Sequence, residues 1–309
     1  MARWFALLAA LLLATSCAAG ANSAPAAPIA GDYPLTVTDD AGRSVTVPKE
    51  PQRIVSLSAS NTELVYALGL EGKLVGVDDY SDYPLEAKAK EKIGSFSKPN
   101  LEKIVSLAPD LVLATNIHVK TVLPELENRG LRVIVFQPAK MNAVPANLRL
   151  LGKVGGAADK GEGAAARMEQ RIAQVVAKTK GAPRTRVFFE LSPDLISVGG
   201  DTFLDDMIAK AGGENIARDV QGAWPKLSPE AVVLKDPEVI ILSDHGSESG
   251  AVTAEIVRGR PGWAAVAAVK TGRIVLLPDQ NLTNRPGPRA VEGLEFIART
   301  LHPDLFSAR

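Results

Sequence analysis

The segment LEKIVSLAPDLVLA runs from Leu101 to Ala114, and SPEAVVLKDPEVIILS runs from Ser228 to Ser243. In each, a glutamate stands seven residues before a proline, Glu102 before Pro109 and Glu230 before Pro237. Each proline is followed by an acid and then an apolar run. Proline cannot continue a helix, and it biases the residue before it away from the helical region. The module therefore reads as a short helix carrying a glutamate, a proline stop, and a buried strand. Its presence twice points to two lobes of one design.

The surroundings of both modules fit alternating strands and helices. Around the first, "RIVSL" (53–57) reads as a buried strand, and "SASN" leads into "TELVYALGL". Asn61 is a candidate helix cap, Leu64, Val65 and Leu68 are candidate core residues, and Gly69 and Gly72 are candidate stops. "LVGV" (74–77) is the next strand, and "IVSL" (104–107), "LVLA" (111–114) and "RVIVF" (132–136) are further short apolar runs. Upstream, "PLTVTDDAGRSVTVP" holds two alternating runs around a turn signal and predicts a hairpin. Around the second module, "TRVFFEL", "VIILS" and "RIVLLP" read as strands, with a helix after Thr202 that stops at Gly212–Gly213 and a closing helix over "GPRAVEGLEFIARTLHP". Short apolar runs separated by helices predict parallel sheets with crossover helices. Residues 143–180 carry no strand-like run and predict one long, partly interrupted helical connector. Gly155, Gly156, Gly161 and Gly163 fall inside it, each costing about 1 kcal/mol against alanine in a helix interior. The expected organisation is an α/β protein with two Rossmann-like lobes, at 32–142 and 181–309, joined by a long rigid backbone helix at 143–180, with a cleft between the lobes.

The first 31 residues have a different character. A short basic start precedes "FALLAALLLA" (5–14), an apolar run too short to span a bilayer. Residues 1–16 read as an export signal. "LLATSC" resembles a bacterial lipoprotein signal, in which Cys17 is acylated and becomes the new N-terminus. Cys17 is the only cysteine, so it has no internal disulfide partner. Residues 17–31 are small, proline-rich and uncharged, as suits a flexible tether. The expected location is the outer face of the cell membrane or the periplasm, reached through this lipid anchor.

Composition and motifs narrow the chemistry. The 35 basic and 35 acidic residues balance, and aromatic residues are 5% of the chain, so nothing suggests nucleic-acid binding. There is no P-loop and no dinucleotide fingerprint; the glycine pairs at 155–156, 199–200 and 212–213 lack the spacing. No G-x-S-x-G occurs, and His118, His245 and His302 form no metal-ligand motif. Each is expected to be an ordinary loop or helix histidine, with His118 or His245 as an axial ligand of one metal the alternative, and neither catalysis nor an intrinsic cofactor or metal is expected. Other residues suit a cleft for a large, partly apolar ligand: Tyr80 and Tyr83 in "DDYSDYP", Phe96 in "GSFSKPN", Trp224 in "GAWPKLSP", and Asp279, Arg285 and Arg289 near "NRPGPR". Aromatic rings give rigid contact area, and arginine offers several donors to an acceptor edge.

"RIVSLSASNTELVYALGLEGKLVGVDDYSDYP" and "IGSFSKPNLEKIVSLAPDLVLA", with "AGGENIARD", "AWPKLSPE" and "RPGPR", resemble the substrate-binding proteins of metal-chelate ABC importers, above all their vitamin B12 (cobalamin) binding members. The resemblance covers about Arg53 to Pro303. It implies two lobes bridged by a helix, a chelate held between them, and one surface glutamate per lobe presented to arginines of a permease dimer with its ATPase subunits. Those glutamates are Glu102 and Glu230. It further implies that Tyr80, Phe96 and Trp224 contact a corrin ligand, while Asp279 and Arg285 hydrogen-bond its amides or fix the second-lobe loop. Phe96 stands where tryptophan is usual. Thr115 and Leu195 depart from the pattern by replacing aromatic residues. The transported ligand is thus expected to be cobalamin or a related corrinoid, with haem or a ferric siderophore as the alternative, bound by a monomer.

Overall fold

The computed structural model describes residues 33–243 and 251–307. The export signal, Cys17, the tether and His245 lie outside the described residues. Among the described residues there are twelve strands: β1 Leu35–Thr38, β2 Ser44–Val47, β3 Ile54–Ser56, β4 Leu74–Val77, β5 Gly94–Ser95, β6 Lys98–Pro99, β7 Leu111–Ala114, β8 Val133–Val135, β9 Thr185–Glu190, β10 Gly213–Asn215, β11 Val239–Leu242 and β12 Ile274–Leu276. β1 and β2 form the predicted hairpin, with Leu35 opposite Val47. The other long strands form two parallel sheets, ordered β4-β3-β7-β8 and β10-β9-β11-β12. Numbered within each lobe, both orders are 2-1-3-4.

The repeated module occupies matching positions in these sheets. β7 and β11 are each the third strand, in chain order, of their parallel sheet. The helix before β7 is Leu101–Ser106, capped by the Asn100 side chain. The helix before β11 is Pro229–Lys235, capped by Ser228. The residue before each proline is left-handed, with φ of 43° at Ala108 and 42° at Asp236. That conformation is uncommon for a residue with a Cβ, so the repeat extends to the backbone. "IVSL" at 104–107 falls on the helix and its cap, not on a strand. Only Ile104 of its apolar residues is fully buried, whereas every residue of β7 is buried.

Alternation along the strands divides the core. Ile54, Leu111, Leu113 and Ile134 of the first sheet join a central cluster with Val187, Phe189, Val239 and Ile241 of the second. Their neighbours Val55, Val112, Val133 and Val135 face an outer cluster of the first lobe, and Phe188, Ile240 and Leu242 one of the second. Both faces of each sheet are covered, as a parallel sheet requires. The central cluster also takes Leu148 and Leu151 from one connecting helix and Met168, Ile172 and Val175 from another, so the two lobes share a core.

The connector is two helices rather than one, Ala143–Val154 and Ala158–Thr179. The first ends at Gly155, and Gly156 has φ of 76°. Gly161 has a different role: a Cβ there would lie 2.8 Å from the Leu148 carbonyl oxygen, and one on Gly152 would lie 2.8 Å from the Gly161 Cα. The helices cross where neither has a side chain. The helix cap before the first long helix also differs from expectation. Ser58 caps Ala59–Ala67 by accepting from the Asn61 N–H. Asn61 is buried inside the helix and donates from Nδ2 to the Ala114 carbonyl at 2.9 Å, tying helix to β7. Thr202 caps Phe203–Lys210 as predicted. No helix among the described residues is long and apolar enough to cross a membrane.

Candidate functional site

The chain leaves each parallel strand at the same end of its sheet. Ser58 and Ser60 follow β3, Asp78 and Tyr80 follow β4, Thr115 and Asn116 follow β7, and Gln137 follows β8. In the second lobe Leu191 follows β9, Ser243 follows β11, and Gln280 and Arg285 follow β12. All of these line one cavity of about 950 Å³, together with Phe96, Phe203 and Trp224. Ligands of open α/β sheets sit beyond the carboxyl ends of the strands. Here two such ends contribute to one cleft.

The structure brings together Tyr80, Phe96, Trp224 and Arg285 of the predicted ligand residues. Tyr80 and Trp224 are each 60% exposed, so their rings are available to a ligand in the cleft. Asp279 is not among the lining residues. Its carboxylate accepts from Arg289 Nη1 at 3.0 Å and from the Asn281 N–H at 2.8 Å, which fixes the loop. Of the two departures, Thr115 lines the cavity, whereas Leu195 packs into the outer core of the second lobe. Leu191 and Phe203 supply apolar wall on that side; sequence reasoning missed both, as well as the amides of Asn116, Gln137, Gln280, Asn281 and Asn284. The serines of "SASN" were detectable, because they directly follow a buried strand.

Each aromatic contact is held from behind. Phe96 sits at the tip of the β5–β6 hairpin. His118 is buried: its Nδ1 accepts from the Thr115 N–H at 3.0 Å, so its Nε2–H donates to the Phe96 carbonyl at 2.7 Å. Its ring also meets the Phe96 ring edge to face, with centroids 5.3 Å apart. Burial holds the imidazole below its ordinary pKa and neutral, although the Phe96 carbonyl works the other way. Between the unfolded value of about 6.5 and the lower folded one, the unfolded chain takes a proton that the folded chain refuses. Stability is therefore lost as pH falls below about 6.5 and levels off beneath the folded value. Glutamine at 118 keeps one acceptor and one donor without titrating. Melting temperatures from about pH 7.5 to 5 are expected to fall less for His118→Gln than for the unsubstituted protein; equal falls would refute this role.

Trp224 lies on a segment strapped to residues 197–199. The Ser197 N–H donates to the Pro225 carbonyl and the Gly199 N–H to the Ala223 carbonyl, both at 2.9 Å. A Cβ on Gly199 would lie 1.9 Å from the Gly222 carbonyl oxygen. Gly199 thus serves this close backbone approach, while a Cβ on Gly200 would lie 2.3 Å from the Arg218 carbonyl oxygen.

Tyr80 lies in a loop anchored by Asp78, Ser81 and Thr62. Ser81 Oγ donates to Asp78, Thr62 Oγ1 pairs with Ser81 Oγ at 2.7 Å, and Lys92 Nζ donates to the Ser81 carbonyl at 2.8 Å. Burial raises the Asp78 carboxyl, against the opposing hydrogen bond from Ser81. Arg285 closes this loop from the other lobe: Nη1 reaches Asp82 at 2.7 Å and Glu63 at 3.3 Å, and Nη2 donates to the Tyr80 carbonyl at 3.0 Å.

Glu102 and Glu230 lie away from the cavity, near the starts of their helices. Glu102 accepts from Arg129 at 2.8 Å in an exposed pair. Hydrogen bonds from its own backbone N–H and from Ser228 hold the Glu230 carboxyl below its usual range. Among the described residues, no group of three or more histidine, cysteine or acidic side chains is placed to hold a metal ion.

A cleft fed by two matched parallel sheets and walled by aromatic rings, amides and hydroxyls is the architecture of a solute-binding protein. The chain belongs to the periplasmic binding protein family, whose sequence pattern matches residues 54–281. It is 35% identical to the ABC transporter substrate-binding lipoprotein YvrC of Bacillus subtilis (strain 168), over 98% of this chain and 97% of that one. Its fold is similar to the periplasmic vitamin B12 binding protein BtuF of Vibrio cholerae, with TM-score 0.72 and 28% identity, covering 83% of this chain and 99% of that one. It is equally similar to the periplasmic heme-binding protein RhuT of Roseiflexus sp. RS-1, with TM-score 0.72 and 30% identity, covering 82% and 99%.

Proposed function

We propose that this protein is the solute receptor of an ABC importer, that it binds cobalamin or a related corrinoid in the cleft without covalent chemistry, and that it is held outside the membrane through Cys17. Its lobes are taken as 32–142 and 181–309, with 143–180 between them. The observation that carries the choice of ligand is the charge of the wall. Among the described lining residues the charged ones are Asp78, Asp201 and Arg285, and the Arg285 guanidinium is already engaged by Asp82, Glu63 and the Tyr80 carbonyl. Haem carries two propionates, and many siderophores are acidic. Burying a carboxylate without a cation is costly, and the described lining residues offer no unengaged one. A corrin rim carries neutral amides, which match the hydroxyls and amides of Ser58, Ser60, Asn116, Gln137, Gln280 and Asn284.

Glu102 and Glu230, one at the same place in each lobe, suit docking on a permease dimer through opposed charge. Such charges govern encounter and register more than affinity. The test is calorimetric titration of residues 31–309 with cyanocobalamin, haem and a ferric hydroxamate, before and after Glu102→Lys and Glu230→Lys. Tight one-to-one binding of cyanocobalamin alone, unchanged by the lysines while uptake with the cognate permease fails, is the expected outcome. Preferential binding of haem or the hydroxamate would overturn the ligand; normal uptake by the lysine variants would overturn the docking role.

A further inference from the structure

The ends of the two lobes meet in a cluster of charges that the aromatic site does not explain. Glu63 comes from the Ala59–Ala67 helix and Asp82 from the loop after β4. Arg285 and Arg289 come from the chain after β12, more than 200 residues away. Glu63 is buried and receives Arg289 through Nε at 3.1 Å and Nη2 at 2.9 Å, a bidentate pair, with Arg285 as a second donor at 3.3 Å. Arg289 also pairs with Asp279 and stacks its guanidinium 3.8 Å from the centre of the Tyr83 ring. Burial works against its charge, yet Glu63 and Asp279 raise its pKa further above the ordinary arginine value. Between the two arginines, Gly287 lies against Ser60 of the same first-lobe helix.

We propose that Arg285 and Arg289 are positioning residues which clamp the first lobe to the second through Glu63 and Asp82, and that Arg285 serves ligand binding by fixing Tyr80 rather than by touching the ligand. Two nitrogens suffice, one for both carboxylates and one for the Tyr80 carbonyl. The part concerning the ligand rests on the corrinoid reading above; the clamp itself does not.

Hydrogen exchange on ligand-free protein containing residues 31–309 tests the clamp, since the described core clusters lie wholly within that part. The variants are Asp82→Asn, whose carboxylate is 44% exposed and so is expected to contribute little to global stability, its conservative partner Asp82→Glu, and Glu63→Gln. Asp82→Asn is expected to speed exchange at residues 78–84 and 281–290 by about 5-fold, and Glu63→Gln by about 30-fold, while strand amides stay protected. Asp82→Glu is expected to restore much of the loss, and the effect of Asp82→Asn should vanish in an Arg285→Gln background. With cyanocobalamin, Asp82→Asn should then raise the dissociation rate by a similar factor, with little change in the melting temperature. Unchanged exchange at 281–290 in both first-lobe variants would overturn the clamp. Altered exchange without cobalamin binding would keep the clamp and reject the ligand. Altered exchange with an unchanged dissociation rate would overturn the link to Tyr80.

Discussion

Trp224→Ala is expected to weaken cyanocobalamin binding by about 30-fold, roughly 2 kcal/mol, the loss usual when a central aromatic anchor is removed. The ring lines the cavity and is 60% exposed, so little of the core depends on it. Its backbone is held independently by the straps from Ser197 and Gly199. The melting temperature should therefore move by no more than about 2 °C, as for a surface substitution worth under about 0.5 kcal/mol. Tyr80→Ala, from the opposite lobe, should cause a separate loss. If the two rings touch different parts of one ligand, the double variant should show nearly the sum. Calorimetry and thermal denaturation of the three variants check this together. Unchanged affinity in Trp224→Ala would remove the ring from the site, and a collapse in melting temperature would make its role structural.

The second large effect is on stability and comes from beneath the cleft. Glu190 ends β9 and is fully buried, and both its oxygens accept from Arg260, at 2.5 and 2.7 Å. Arg260 in turn lies 4.6 Å from the centre of the buried Trp263 ring. The Glu190 carbonyl receives the Ser243 N–H, and the next residue, Leu191, lines the cavity. Arg260→Met leaves a buried carboxylate without its cation, a change that typically costs about 3–5 kcal/mol. At about 2–4 °C per kcal/mol for a domain of this size, the melting temperature should fall by roughly 6–20 °C. Glu190→Gln combined with Arg260→Met removes both charges and should recover much of the loss, because a missing pair is cheaper than a broken one. A fall of less than about 2 °C in the single variant, measured by calorimetric scanning, would contradict this account.

The parts of the fold that depend on local pattern were legible in the sequence. The doubled glutamate–proline module marked the third strand of each sheet, the alternating runs at 35–38 and 44–47 gave the hairpin, and Thr202 capped its helix. Three features were ambiguous for physical reasons. "SASN" holds three cap-competent residues, and only the contact of Asn61 with β7 assigns the cap to Ser58. "IVSL" is too short for periodicity to separate helix from strand. The connector glycines look alike in sequence, but Gly155 and Gly156 end a helix while Gly161 permits a crossing.

The candidate site divides in the same way. Tyr80, Phe96 and Trp224 could be placed at a cleft because they follow strands or stand in loops beside them. The supports behind them could not, because they join residues distant in the chain. Arg285 meets Glu63 and Asp82 only when the lobes are assembled. His118 acquires its place from a hairpin 22 residues earlier. Asp279, grouped with the ligand residues by the resemblance, faces Arg289 instead of the cavity.

The most direct test of the corrinoid site is the position of the metal. Crystals of residues 31–309 grown with cyanocobalamin should give one strong cobalt anomalous peak per molecule, in the cleft between the Trp224 ring and the Tyr80 and Phe96 side. A peak outside that cleft, or none at saturating ligand, would contradict the account.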